Sequence, residues 1–326
     1  MTPAAAAARK KTRILIAFAA VYILWGSTYL FIKYAIETIP PFMLGGARFF
    51  IAGGLLYSLA RWRGAPSATA RDWRLAGVTG VLMLGMGNGA VVWSEQIVPS
   101  GIVALIVSMV PIWIVLLDWL RPRGIRPRAP VFAGLGLGLI GMIILIGPGA
   151  IVGEGGGHVN PVGALALFLG SLGWALGSII TRGRTRSAAP LVFSALQMVA
   201  AAVAMTVTSI IVGEPGRFSL SDVSTRSFLS WIYLIIAGSI IGYTAYIYLL
   251  GAVSAAKAAT YAYVNPVIAV LLGWAFANEP ISARTVVAAA VILAGVAIIT
   301  STQSTSHATG EHPVPQELNA RARSAA

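Results

Sequence analysis

Apolar residues fall into ten nearly unbroken runs, at about 14–36, 41–60, 73–93, 101–120, 129–147, 161–181, 190–212, 228–250, 255–276 and 285–300, each bounded by charges or by proline and glycine. As helices, runs of roughly 20 residues cross a hydrocarbon core about 30 Å thick. Strands of a membrane barrel would be about half as long and would alternate polar with apolar positions. The pattern therefore predicts an all-α integral membrane protein with ten transmembrane helices. Polar residues are left to the gaps. The Gly-rich stretch 151–160 separates the fifth run from the sixth, and the tail 301–326, with its Ser, Pro and Gly, has the composition of a disordered segment.

The ten runs read as two copies of one five-run unit. Pro111 aligns with Pro266, 155 positions on, and the same offset sets Gly87 on Gly242, Trp93 on Tyr248, Ala104 on Ala259 and Trp119 on Trp274. Earlier in each unit the offset is 149 and matches Trp25 with Trp174, Lys33 with Arg182 and Pro41 with Pro190. Near the ends it is 154 and matches Gly141 with Gly295. The expected units are 14–150 and 161–300, preceded by a basic segment, 1–13. Five crossings is an odd number, so the second copy must enter the bilayer from the opposite side. Inverted repeats of this kind let a carrier open one face and then the other around a midplane site.

Charge sets the orientation. Of the 326 residues 57% are hydrophobic and 10% charged, with mean hydropathy +0.83, where a soluble chain carries about 25% charge. The net charge of +13 is spread over short gaps between apolar runs, so no nucleic-acid partner is expected. With the N-terminus cytoplasmic, 18 of the 23 basic residues fall on the cytoplasmic side, and Lys33, Arg48, Arg217, Arg226 and Arg284 remain. That bias predicts both termini in the cytoplasm. The first run is of full spanning length and lacks a small-residue cleavage pattern, so it reads as an uncleaved helix rather than a signal peptide. The chain has no cysteine, and His158, His307 and His312 lie outside the runs. No cofactor, metal site or histidine relay is expected.

Candidate chemistry sits at mid-depth. Pro111 and Pro266 each lie some 10 residues into their runs, about 15 Å deep. A proline there removes a helical hydrogen bond and crowds the carbonyl four residues back, of Val107 and Ala262. The pair reads either as hinges or as packing kinks, and recurrence in both units favours hinges. Trp25, Trp174, Tyr243 and Tyr246 are aromatic at mid-depth, whereas Trp and Tyr otherwise gather at interfaces, as expected of Trp62, Trp73, Trp119 and Trp231. With Asn88, Tyr263 and Asn265 they form a candidate substrate-binding set for a partly apolar solute, or else pack helices. Arg48 sits about 10 Å inside its run, where a charge must be paired or wet. Glu37 or Glu95 is the expected partner in an ion pair or outer gate, and direct binding of a carboxylate is the alternative. Asp118 is expected to pair with Arg121 or Arg123. The glycines from Gly134 to Gly141 lack the context of a phosphate loop and suit close helix packing.

Trp25-Gly26-Ser27-Thr28 followed by Lys33, Pro41 and Arg48 resembles the signature of the drug/metabolite transporter superfamily, and specifically of its EamA-type exporters. Gly101, Ala104 and Pro111, then Pro266, Glu279 and Gly295, fit the same pattern, and Trp93-Ser94-Glu95-Gln96 resembles one subgroup. The resemblance implies a ten-helix inverted-repeat carrier of the plasma (inner) membrane that moves amino acids or other small metabolites, usually outward. No acid lies within the first run short of its end, unlike in small multidrug exporters, and no mid-depth Lys/Arg cluster suits a sugar phosphate. The expected cargo is neutral, zwitterionic or amphipathic, moved by alternating access, with proton coupling, solute exchange and facilitated flux all open as the driver. A passive channel, a scramblase or a broad xenobiotic exporter is the alternative. A membrane enzyme would need a nucleophile–base or acid cluster near an interface, and the sequence has none.

Overall fold

The computed structural model describes residues 3–98, 103, 106–121, 126–146, 160–182, 190–277 and 283–302, and among these every regular element is helical. The elements are α1 (Pro3–Ala35), α2 (Pro41–Trp62), α3 (Ala70–Ser94), α4 (Val110–Leu120), α5 (Ala129–Ile146), α6 (Pro161–Thr181), α7 (Pro190–Ile211), α8 (Thr225–Ala252), the single turn α9 (Ala255–Ala258), α10 (Tyr261–Ala277) and α11 (Ala283–Thr302). Six of them, α1, α2, α3, α6, α7 and α8, are long and apolar enough to cross a membrane, and α4, α5 and α11 carry shorter apolar stretches. Large apolar side chains cover the exterior, among them Phe50 at 67% and Ile210 at 63% exposure, as a lipid-facing surface requires.

Local chemistry sets the helix ends. Pro41 and Pro161 occupy the first turns of α2 and α6, where a missing N–H costs nothing. The first amides of α2, of Phe42 and Met43, donate to the Glu214 carboxylate at 3.1 and 2.7 Å, so an acid from the α7–α8 connection caps a helix far away in sequence. Thr69 and Asp72 form a capping box on α3, Asn160 caps α6 and Ser224 caps α8. Gly64 and Gly213 take positive φ, +81° and +74°, just beyond α2 and α7. Each is followed by an amide that reaches back five residues, Ala65 to Ala60 and Glu214 to Ser209, both at 3.0 Å.

Several expectations change in detail. The basic segment before residue 14 belongs to α1, which begins at Pro3 and is exposed from Ala5 to Arg13. In the fourth run a turn at Ser108–Met109 precedes α4, so Pro111 stands in a first turn rather than mid-helix. Pro266 is inside α10, but the ninth run is also interrupted upstream, at Ala259–Thr260. Both long runs 73–93 and 228–250 widen in the middle to π-helix, at Val81–Asn88 and Leu234–Tyr243. The stretch 151–159, the tail from 303 and Glu279 lie outside the described residues.

The main packing contacts pair α2 with α7 and α5 with α11. Gly134 and Gly141 of α5 lie directly on α11, where added Cβ atoms would come within 2.7 Å of Ile299 and 2.6 Å of Ile292. Helix α1 packs against α8 and α10, and α6 packs against α3 and α4. The first helix on each side of residues 151–160 thus leans on helices from the other side. The central core lies where these meet, around Trp25, Met83, Trp174, Met198, Tyr243, Tyr246 and Tyr261.

Candidate functional site

The candidate site is a cavity with about 730 Å³ of space free of atoms, its mouth included. Three helices face it with the same spacing, i, i+3, i+4, i+7. These are Trp25, Thr28, Tyr29 and Ile32 of α1, Leu84, Gly87, Asn88 and Val91 of α3, and Leu167, Gly170, Ser171 and Trp174 of α6. That spacing is one stripe of a helix surface. Arg48 and Phe49 of α2, Val107 and Val110 beside the α4 break, Gly238 and Tyr243 of α8, and Tyr261 and Asn265 of α10 complete the wall.

Five rings meet at one end of this space. Trp25 lies 5.5 Å from Trp174, 5.3 Å from Tyr246 and 4.8 Å from Tyr261, and Trp174 lies 6.3 Å from Tyr243. The Trp25–Trp174 and Trp25–Tyr261 pairs are edge-to-face, at 81° and 80°, the arrangement the ring quadrupole favours. The polar edges of Trp25, Trp174 and Tyr246 are satisfied within the protein. Trp25 Nε1 donates to the Gly238 carbonyl at 3.0 Å, Trp174 Nε1 donates to Tyr246 Oη at 3.3 Å, and Tyr246 shares a 2.8 Å bond with Ser178. Each tryptophan sits in a glycine notch of a π segment. A Cβ at Gly242 would lie 2.5 Å from Trp25 Nε1, and one at Gly87 would lie 2.9 Å from Trp174 Cε3.

The structure brings Trp25, Asn88, Trp174, Tyr243 and Asn265 together on the cavity wall, as the depth argument grouped them. Tyr246 stands behind the rings and is absent from the wall. Tyr263 is not part of the group. It turns away to α5, where its ring packs on Gly138 and its hydroxyl donates to the Leu135 carbonyl at 3.4 Å. Tyr261 takes the place the sequence reading gave to Tyr263. The amide of Asn265, oriented by its neighbours, donates to the carbonyls of Tyr22 at 3.3 Å and Tyr261 at 3.0 Å, so it also joins α10 to α1. Gln197 is glue alone, donating to Thr79 at 2.8 Å and Thr181 at 3.3 Å.

The charge pairing differs from expectation. Arg48 lies on the wall and is 4% exposed, but it pairs with neither Glu37 nor Glu95. Its Nε donates to Ser239 Oγ at 2.7 Å, and its Nη1 has no partner. Glu37 is taken by Arg226 at 2.7 Å, since α8 brings that cation to the end of α1. Both Glu95 oxygens are buried without a partner. Asp118 pairs with Arg121 at 2.8 Å as expected, and also with Arg182 of α6 at 3.1 Å, a contact that joins two distant parts of the chain. Trp231, expected as an interfacial anchor, donates to the Leu44 carbonyl at 3.2 Å. No group of three or more metal-binding side chains occurs among the described residues.

The EamA-like transporter family model matches this chain twice, over residues 12–147 and 161–301. The chain belongs to the EamA-like transporter family. It is 40% identical over 283 residues to the inner membrane transporter YedA of Escherichia coli, covering 86% of this chain and 88% of that one. It is 23% identical to the transporter YvbV of Bacillus subtilis, with 89% and 92% covered, and 26% identical to protein PecM of Dickeya dadantii, with 84% and 88% covered. A protein of known crystal structure shares the fold, with a TM-score of 0.71 at 22% identity, over 90% of this chain and 99% of that one. Family membership points to transport rather than catalysis.

Proposed function

We propose that this protein is a secondary carrier of the inner (plasma) membrane that exports small metabolites by alternating access. Amino acids and related neutral or zwitterionic amphipathic solutes are the favoured cargo. In this reading ten transmembrane helices form two inverted five-helix repeats, 14–150 and 161–300, joined by 151–160, with both termini in the cytoplasm.

The observation that carries the reading is the reciprocity of the seam around the cavity. Trp174 sits on Gly87 and Trp25 sits on Gly242, and the offsets 149 and 155 turn one contact into the other. The same exchange relates α5 to α11. Gly141 meets Ala288 and Ile292, while its counterpart Gly295 meets Gly134 and Gly138, which stand 154 positions before those two. The turn glycines Gly64 and Gly213 are 149 apart and share one hydrogen-bond pattern. Contacts that swap in this way are what a two-fold axis produces. The two successive family matches support the same duplication.

The cavity is lined by residues from both halves of the chain. Its largely apolar, ring-lined wall suits a solute with an apolar body. The break before Pro111, the interruption at Ala259–Thr260 and the mid-helix Pro266 would serve as hinges, and protons or an exchanged solute would supply the drive. Counterflow of labelled amino acids into proteoliposomes tests the carrier. Saturable, trans-stimulated flux is expected, with a raised Michaelis constant in Trp174→Ala. Flux that is linear in concentration and indifferent to trans solute would favour a passive channel or scramblase instead.

A further inference from the structure

Among the described residues Arg48 is the only charged side chain on the cavity wall, and nearly every acid is engaged elsewhere. Glu37 holds Arg226, Asp118 holds Arg121 and Arg182, and Glu214 caps α2 through two backbone amides. Glu95 has no hydrogen-bond partner, interacts electrostatically with Lys33 and does not line the cavity. The guanidinium is fixed in place. Ser239 takes its Nε at 2.7 Å, and Gly238 lies so close to Nη2 that an added Cβ would come within 2.6 Å. Nη1 is buried without a hydrogen-bond partner, and so is the Oδ1 of Asn88, another residue of the same wall.

A guanidinium stays ionised in a protein, and an uncompensated buried charge costs several kcal/mol. Folding alone would select against it here. We infer that the cargo supplies the counter-charge: its carboxylate pairs with the Arg48 guanidinium, a donor group meets the Asn88 side chain, and its apolar body rests on the rings of Trp25, Trp174 and Tyr261. The inference rests on the carrier reading of this cavity and narrows its cargo to small monocarboxylates bearing a hydrogen-bond donor, with apolar α-amino acids as the simplest case. Free amines and polyamines are excluded, because they would bring a second positive charge into the same poorly screened space. Neutral nucleosides leave Arg48 unanswered.

Calorimetric titration of the purified full chain in detergent with four probes of matched shape tests this: L-phenylalanine, L-phenylalanine amide, phenethylamine and 3-phenylpropionate. The two carboxylates should bind 10- to 100-fold more tightly than the amide and the amine, as a hydrogen bond to a charged group implies. L-Phenylalanine should be the tightest of the four. In Arg48→Gln the preference for carboxylate over amide should shrink to about threefold or less, and Arg48→Lys should keep part of it. Equal binding of amide and acid by the natural chain overturns the inference, as does failure of all four probes to bind, or a preference that survives Arg48→Gln. The natural-chain comparison needs no variant, so misfolding of a substituted protein cannot mask the result. Counterflow with the same probes separates the two readings. Saturable flux without carboxylate preference defeats only the Arg48 inference, whereas carboxylate-selective binding without flux defeats only the carrier.

Discussion

Gly242→Ala is the smallest substitution that challenges the seam between the two units. The new methyl carbon would lie 2.5 Å from Trp25 Nε1 and 2.8 Å from its Cδ1, whereas ordinary contact begins near 3.4 Å. The indole would have to retreat by close to an ångström, against a hydrogen bond and three ring contacts. Its Nε1 is tied to the Gly238 carbonyl at 3.0 Å on the same helix, and the rings of Tyr261, Tyr246 and Trp174 stand behind it with centroids 4.8, 5.3 and 5.5 Å away. Overpacking costs about 1–3 kcal/mol, and a buried donor deprived of its partner costs about 1–3 kcal/mol more. The better helix propensity of alanine returns up to about 1 kcal/mol. The expected net loss is about 3 kcal/mol.

Reversible SDS titration of micellar protein, followed by circular dichroism, measures that loss. Gly54→Ala is the control, because a Cβ there meets nothing within 4 Å. It should be neutral or stabilising by up to about 1 kcal/mol. Gly87→Ala should cost less than Gly242→Ala, since its Cβ would stop 2.9 Å from Trp174 Cε3 and displaces no hydrogen-bonded nitrogen directly. Pairing Gly242→Ala with Trp25→Phe removes both the crowded edge and the N–H, so the double variant should lose at least about 1 kcal/mol less than the sum of the single losses. A Gly242→Ala protein within about 0.5 kcal/mol of the natural one, or strict additivity in the double variant, would refute the notch.

Other substitutions probe the remaining parts. Tyr261→Ala should raise the Michaelis constant for transport, while Tyr263→Phe should leave it unchanged and cost no more than about 1 kcal/mol of stability; equal kinetic effects would refute the assignment of the two faces of α10. Pro266→Ala should lower turnover several-fold without loss of membrane insertion, read as flux per reconstituted molecule; unchanged flux would remove the hinge. The chain has no cysteine, so Ser67→Cys and Ser221→Cys, both in exposed connections, give clean single labels. In intact cells an impermeant maleimide should reach position 221 and not 67, and labelling of both from one side would end the inverted repeat.

What the sequence revealed about the site was depth, and what it concealed was angle. Helix starts at Pro41, Pro161 and Pro190 were legible because proline is tolerated in a first turn and nowhere deeper without cost. Trp25, Trp174 and Tyr243 were legible as a group because an aromatic far from the interface has few places to satisfy its polar edge. Tyr263 was assigned to the same group by depth alone. Two residues along a helix turn the side chain by about 200°, so Tyr261 faces α1 while Tyr263 faces α5. The i, i+4 relation of Tyr261 to Asn265 carries that signal. Charge partners were harder still. Arg226 for Glu37 and Arg182 for Asp118 come from helices that lie close only after folding, and nothing local in either segment announces them. The π segments left a trace only in glycine, at Gly85 and Gly87 and again at Gly238 and Gly242.

The two ends of the bundle differ in how they are closed, and the difference bears on any carrier cycle. The wall runs from Trp25 to Ile32 along α1 and from Leu84 to Val91 along α3, toward the end where Ile32, Ala35, Ile39, Leu44 and Val92 cluster around the α1–α2 connection. Toward the other end it stops at the rings of Trp25, Trp174, Tyr243 and Tyr261, and beyond them Asp118 bridges to Arg182. That bridge is 25–28% exposed, and an ion pair so placed contributes about 1 kcal/mol or less. Each edge-to-face ring contact contributes about 0.5–1.5 kcal/mol beyond burial, and the rings make several. The aromatic cluster is therefore the main barrier at that end and the ion pair a secondary latch. Within the proposed carrier, the residues that would hold the solute's apolar body are also the ones that must part to release it.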